Sequence, residues 1–66
     1  MTDGFRARLF LEHDQLVERI QKLVDFILTP GFDALPEIDR ADLREQLQHM
    51  RAYQSVLSRR VSRQCR

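Results

Sequence analysis

The 66-residue chain has one cysteine, no tryptophan, two glycines and two prolines. A lone Cys65 excludes an internal disulfide, and the two histidines make no metal-spaced cluster with it. So little glycine and proline excludes a linker-rich or disordered chain. The longest apolar runs are Leu9-Phe10-Leu11 and Phe26-Ile27-Leu28. Both are far short of the ~20 residues a membrane span needs. The opening Met-Thr-Asp-Gly has no basic segment leading into an apolar one, so no signal peptide is expected. With a single thiol, this points to a reducing, cytoplasmic setting.

What remains is a helix-friendly composition, 42% hydrophobic and 32% charged, for one domain spanning residues 1–66. A chain of this size buries only about 60% of the surface its unfolded form exposes. Small domains offset that shortage with disulfides, a metal or a partner chain. The first two are missing, which leaves self-association or a partner.

Only the stretch Thr29-Pro-Gly-Phe-Asp-Ala-Leu-Pro36 breaks the helical pattern. Pro30 ends the helix before it, and Pro36 suits the first turn of the next. Glu37, Asp39 and Asp42 place negative charge at that start. The reading is helix over about 5–28, a turn at 29–36, and helix over about 37–63. Leu9, His13, Leu16, Ile20, Leu23 and Ile27 form one seam at 4-3 spacing. Leu43, Leu47, Met50, Gln54, Leu57 and Val61 form another. Joined by a short turn, the two helices should pack as an antiparallel all-α hairpin. A near-constant number sum then sets Leu9 against Leu57, Leu16 against Met50 and Ile20 against Leu47. It also sets His13 against Gln54, the only polar residues of the two seams. Two readings stand for that pair, a register-setting hydrogen bond or two partly exposed flanking groups.

The apolar surface is wider than one hairpin requires. Phe10, Val17, Val24 and Leu28 form a second stripe on the first helix, and the two stripes span roughly 140° of arc. Gln46, Tyr53 and Arg60 flank the second seam. A homo-oligomer is expected, either a dimeric four-helix bundle or a higher assembly, with Phe10, Val17, Val24, Leu28, Gln46 and Tyr53 at the interface. Phe32 and Leu35 in the turn, with Phe26 above them, should plug the closed end.

The net charge of +1 conceals an asymmetry. Residues 1–50 carry six Lys/Arg and ten Asp/Glu, a balance of −4, whereas residues 51–66 carry five arginines and no acid, a balance of +5. Folding into a hairpin adds Arg6 and Arg8 to that basic end. Arg59, Arg60 and Arg63, with Arg6 and Arg8, are the anion-binding candidates, since guanidinium forks suit phosphate and Phe5 offers a stacking face. The plain alternative is that cations simply favour a helix C-terminus. Nucleic acid is the weakest of the anionic partners because the whole chain is nearly neutral.

Catalytic chemistry has little to stand on. No Gly-rich phosphate loop, paired-cysteine motif or His-x3-His pair occurs. His13 and His49 lie on different helices, and Glu18 with Lys22 is an ordinary i, i+4 pair. Cys65, one residue from the end, reads as an inert terminal thiol. No catalytic residue, metal or cofactor is expected.

The ordered residues of the first helix (Arg8, Leu9, Glu12, Gln15, Leu16, Ile20, Lys22, Leu23, Phe26, Ile27), then Phe32 and Leu35, carry a resemblance. So do Leu43, Gln46, Leu47, Met50, Tyr53, Val56, Leu57, Arg59 and Arg60 of the second. The pattern resembles a family of small phage and prophage proteins first catalogued among crAss-like phages. The Pro36 start departs from that pattern's more usual Ser or Thr cap. The resemblance carries no catalytic or binding residues. It implies an accessory protein acting by binding, in the cytoplasm of an infected or lysogenic bacterial host. Two functions follow as expectations. The leading one is a non-enzymatic inhibitor of a host protein, in counter-defence or host takeover. The alternative is an oligomeric sponge for an anionic nucleotide immune signal, cyclic or NAD-derived, held at the basic pole; weak nucleic-acid binding ranks last.

Overall fold

The computed structural model describes residues 2–65. Three helices follow in order: α1 (Thr2–Ile27), α2 (Pro30–Asp33) and α3 (Glu37–Gln64), with no strand among the described residues. A 28-residue helix is about 42 Å long. The molecule measures 47 × 16 × 15 Å, so α1 and α3 lie side by side, and the short link makes them antiparallel. No helix among the described residues is long and apolar enough to cross a membrane.

The link is more ordered than the expected turn, because α2 adds one helical turn inside it. Thr29 is extended and caps α2, its hydroxyl accepting from the Phe32 N–H. The same hydroxyl donates to the Phe26 carbonyl at 2.6 Å, closing the end of α1. Pro30 follows at the first helical position, where its missing N–H costs nothing. The Pro36 carbonyl accepts from the N–H groups of Asp39 and Arg40, which starts α3 without a side-chain cap. Glu37 and Asp39 in its first turn complement the helix dipole.

Phe32 is 1% exposed and closes this end of the hairpin. The Phe26 ring meets it edge-on, with centroids 6.1 Å apart, and the Arg44 guanidinium lies over it at 5.1 Å. Leu35 is half-buried beside the turn. Along the shaft, Leu9, Leu16, Ile20 and Leu57 form the buried cluster, with Phe10, Val24, Leu47, Met50 and Val61 packed against it. Leu57 is the one residue of α3 that is buried among the described residues. The seam is therefore narrow, as two helices without a third layer must be.

Of the two readings of His13 and Gln54, the hydrogen bond between them is not the contact His13 makes, and both side chains are half-buried. His13 Nε2 is hydrogen-bonded to Ser58 Oγ at 3.1 Å. A helical side chain leans toward the N-terminus of its own helix. The two antiparallel helices therefore lean in opposite directions, and His13 meets α3 one turn beyond the residue level with its own backbone. Gln54 is half-buried in the seam.

Candidate ligand-binding surface

At the open end, α1 brings Phe5, Arg6 and Arg8 alongside Arg59, Arg60 and Arg63 of α3; Arg66 lies outside the described residues. The arginines are not equivalent. The Arg60 guanidinium sits over the Phe5 ring at 5.9 Å, and Phe5 is 43% exposed. Arg8 is one turn from Phe5, and Arg63 one turn from Arg60, so both border the stacked pair. Arg6 is 100° around α1 from Phe5, and Arg59 is 100° around α3 from Arg60. These two point away from it.

The same geometry separates the expected interface residues. Phe5 and Phe10 are five residues apart, about 140° around α1, and fall on opposite sides of the seam. Phe10 shares a shallow groove with His13, Asp14, Val61 and Cys65. Val17 and Val24 continue that flank at heptad spacing. Gln46 and Tyr53 are in line with Arg60 at the same spacing, so they lie on the Phe5 flank, where they border a second groove with His49 and Met50. One contact with one copy therefore cannot use both sets. Phe10 and Val24 are half-buried against the hairpin's own core, whereas Val17 and Tyr53 remain 38% and 44% exposed and Leu28 79%.

Neither groove encloses a volume. His13 Nδ1 is 3.4 Å from Asp14. His49 pairs with Glu45 one turn away, and Lys22 with Glu18, all on exposed helix faces. Among the described residues, no group of three His, Cys, Asp or Glu side chains is arranged to hold a metal. Cys65 is a free, exposed thiol. Ser58 is the contributor that heptad reading passed over. The Phe5–Arg60 contact falls within one of the number sums of the core pairs, so the same antiparallel register brings the two level.

Two long antiparallel helices with only surface sites define a small all-α hairpin. The profile of the Sequestin family matches residues 3–63, and the chain belongs to that family. No curated protein and no solved structure gives a significant match. The family's name is consistent with binding or sequestering a partner.

Proposed function

We propose that the chain sequesters a small anionic nucleotide at its open end, one ligand for each site and without catalysis. The observation that carries this reading is the exposed Phe5 ring under Arg60, bordered by Arg8 and Arg63. Phosphate is recognised by guanidinium forks, and a base by an aromatic face. An exposed cation–π contact is worth about 0.5–1 kcal/mol, whereas base–aromatic stacking is worth about 1–3. A nucleobase can therefore take its place on Phe5 and leave Arg60 free to turn to phosphate. Residues 51–66 carry no acid, so α3 adds no repulsion there, and Glu12, one turn beyond Arg8, is the nearest carboxylate on that face of α1. A family name built on sequestration favours holding over turnover. The phage resemblance supplies a context, counter-defence, in which such a nucleotide would be an immune signal.

The competing reading, inhibition of a host protein, is favoured by the apolar side chains left exposed on both flanks, Val17 and Tyr53 among them. Calorimetry separates the two. Purified protein is titrated with cyclic dinucleotides, NAD-derived cyclic nucleotides and inorganic phosphate. The nucleotide is then recovered by heat-denaturing the protein. The expected result is saturable binding of a nucleotide, its release unchanged, and loss of about tenfold or more in Phe5→Ala and Arg60→Ala. No heat and no salt-sensitive thermal shift with any nucleotide rejects the proposal.

A further inference from the structure

We propose that the open-end site selects guanine, with Arg8 and Glu12 of α1 reading the edge of the base. This rests on the nucleotide reading above and names the base within it.

Three observations carry the assignment. The first is placement. Phe5, Arg8 and Glu12 follow one another on α1 at spacings of three and four residues. Arg8 is about 4.5 Å and Glu12 about 10.5 Å farther down the shaft than Phe5, and Glu12 falls within about 20° of the Phe5 line. Helical side chains lean toward the N-terminus, so the Glu12 carboxylate reaches back toward the site. The second is polarity along the hairpin. The Arg60 guanidinium lies over the Phe5 ring, and Arg63 is one turn nearer the open tip. A base stacked on Phe5, with its phosphate drawn to Arg60 and Arg63, turns its far edge down the shaft to Arg8 and Glu12. The third is availability. Both side chains are exposed. Among the described residues, Glu12 is within ion-pair distance of neither Arg8, one turn before it, nor Arg19, one heptad after it. Arginine N-terminal to glutamate is the weaker order for such a pair, so a ligand loses little by coming between them.

The donor and acceptor pattern then decides the base. A guanidinium only donates, and a carboxylate only accepts, with two oxygens to fill. Guanine offers the O6 acceptor to Arg8 and two adjacent donors, N1–H and the N2 amino group, to the two oxygens of Glu12. Adenine has one donor on that edge, its N6 amino group, beside the N1 acceptor, so one carboxylate oxygen meets a lone pair. A site that pairs its polar groups with one base rejects a base that leaves them unpaired.

The test is calorimetry on the full chain with the guanine, hypoxanthine and adenine cyclic dinucleotides, which share one backbone. Guanine should bind about tenfold or more tighter than adenine. Hypoxanthine, which keeps O6 and N1–H but lacks the N2 amino group, should fall between them. Glu12→Gln, an exposed change whose fold is checked by its urea midpoint, should bring the guanine-to-adenine ratio close to one. A carboxylate that merely repelled phosphate would act differently, since its removal would tighten all three ligands alike. That outcome overturns the proposal, as does equal binding of guanine and adenine by the unsubstituted chain, or a ratio that Glu12→Gln leaves unchanged; each leaves the nucleotide reading standing. Failure of all three ligands to bind removes that reading and the guanine assignment with it.

Discussion

Replacing Leu57 with alanine tests the packing argument at its narrowest point. Leu57 has no exposed surface, and it is α3's contribution to the buried cluster with Leu9, Leu16 and Ile20. The substitution removes three carbons, about 2.4 kcal/mol of transfer free energy at ~0.8 kcal/mol per methylene. A cavity term adds to this, but a two-layer structure collapses into a void more readily than a deep core. The expected cost is therefore about 2.5–3.5 kcal/mol, at the lower end of the measured Leu→Ala range. A 66-residue domain has roughly 3–10 kcal/mol to lose. At ~4–8 °C per kcal/mol, the melting temperature should fall by about 10–25 °C. Urea denaturation followed by circular dichroism measures this, at two protein concentrations because an associating chain gains stability from association. Val56→Ala, next in sequence but 40% exposed, should cost well under half as much. A Leu57→Ala cost below ~1 kcal/mol would refute the reasoning, because a fully buried leucine cannot be removed so cheaply.

Two further outcomes follow from local geometry. Gly31 lies in α2 with no left-handed backbone angle, and a Cβ there would meet Thr29 Oγ1 at 3.6 Å and the Phe26 ring at 3.7 Å, which is ordinary contact. Gly31→Ala should therefore raise stability by about 0.4–1 kcal/mol in the same urea assay, since the residue costs less to order in a helical conformation. A double-mutant cycle between His13 and Ser58 should give a coupling of about 0.5–1.5 kcal/mol, and the cycle between His13 and Gln54 a clearly smaller one.

The hairpin was legible because its signals were periodic or covalent. Heptad spacing marked both seams, and Pro30 and Pro36 marked the ends of the link. The α2 turn was not legible, since four residues show no periodicity, and its existence rests on one threonine hydroxyl serving both Phe26 and Phe32. The partner of His13 was missed for a different reason. Number sums place backbones level with one another, but a hydrogen bond is made at the tip of a side chain, and the tips of antiparallel helices are displaced in opposite directions. The same limit applies to the flanks. Phe10, Val17, Val24, Leu28, Gln46 and Tyr53 read as one oligomer interface in sequence. Reversing the direction of α3 is what turns Gln46 and Tyr53 to the other side.

That division has a consequence for binding. A rod 15–16 Å across is too thin to enclose a ligand, so a site on one chain must be open on at least one side. An open site holds its ligand by charge and stacking, which suits capture at stoichiometric concentration better than the water-excluded chemistry of an enzyme. It also couples ligand to stability. A ligand at a hundred times its dissociation constant adds about 2.7 kcal/mol to the folded state, comparable to the whole margin of a marginal 66-residue domain. Saturation of the Phe5–Arg60 flank should therefore raise the melting temperature by roughly 10–20 °C.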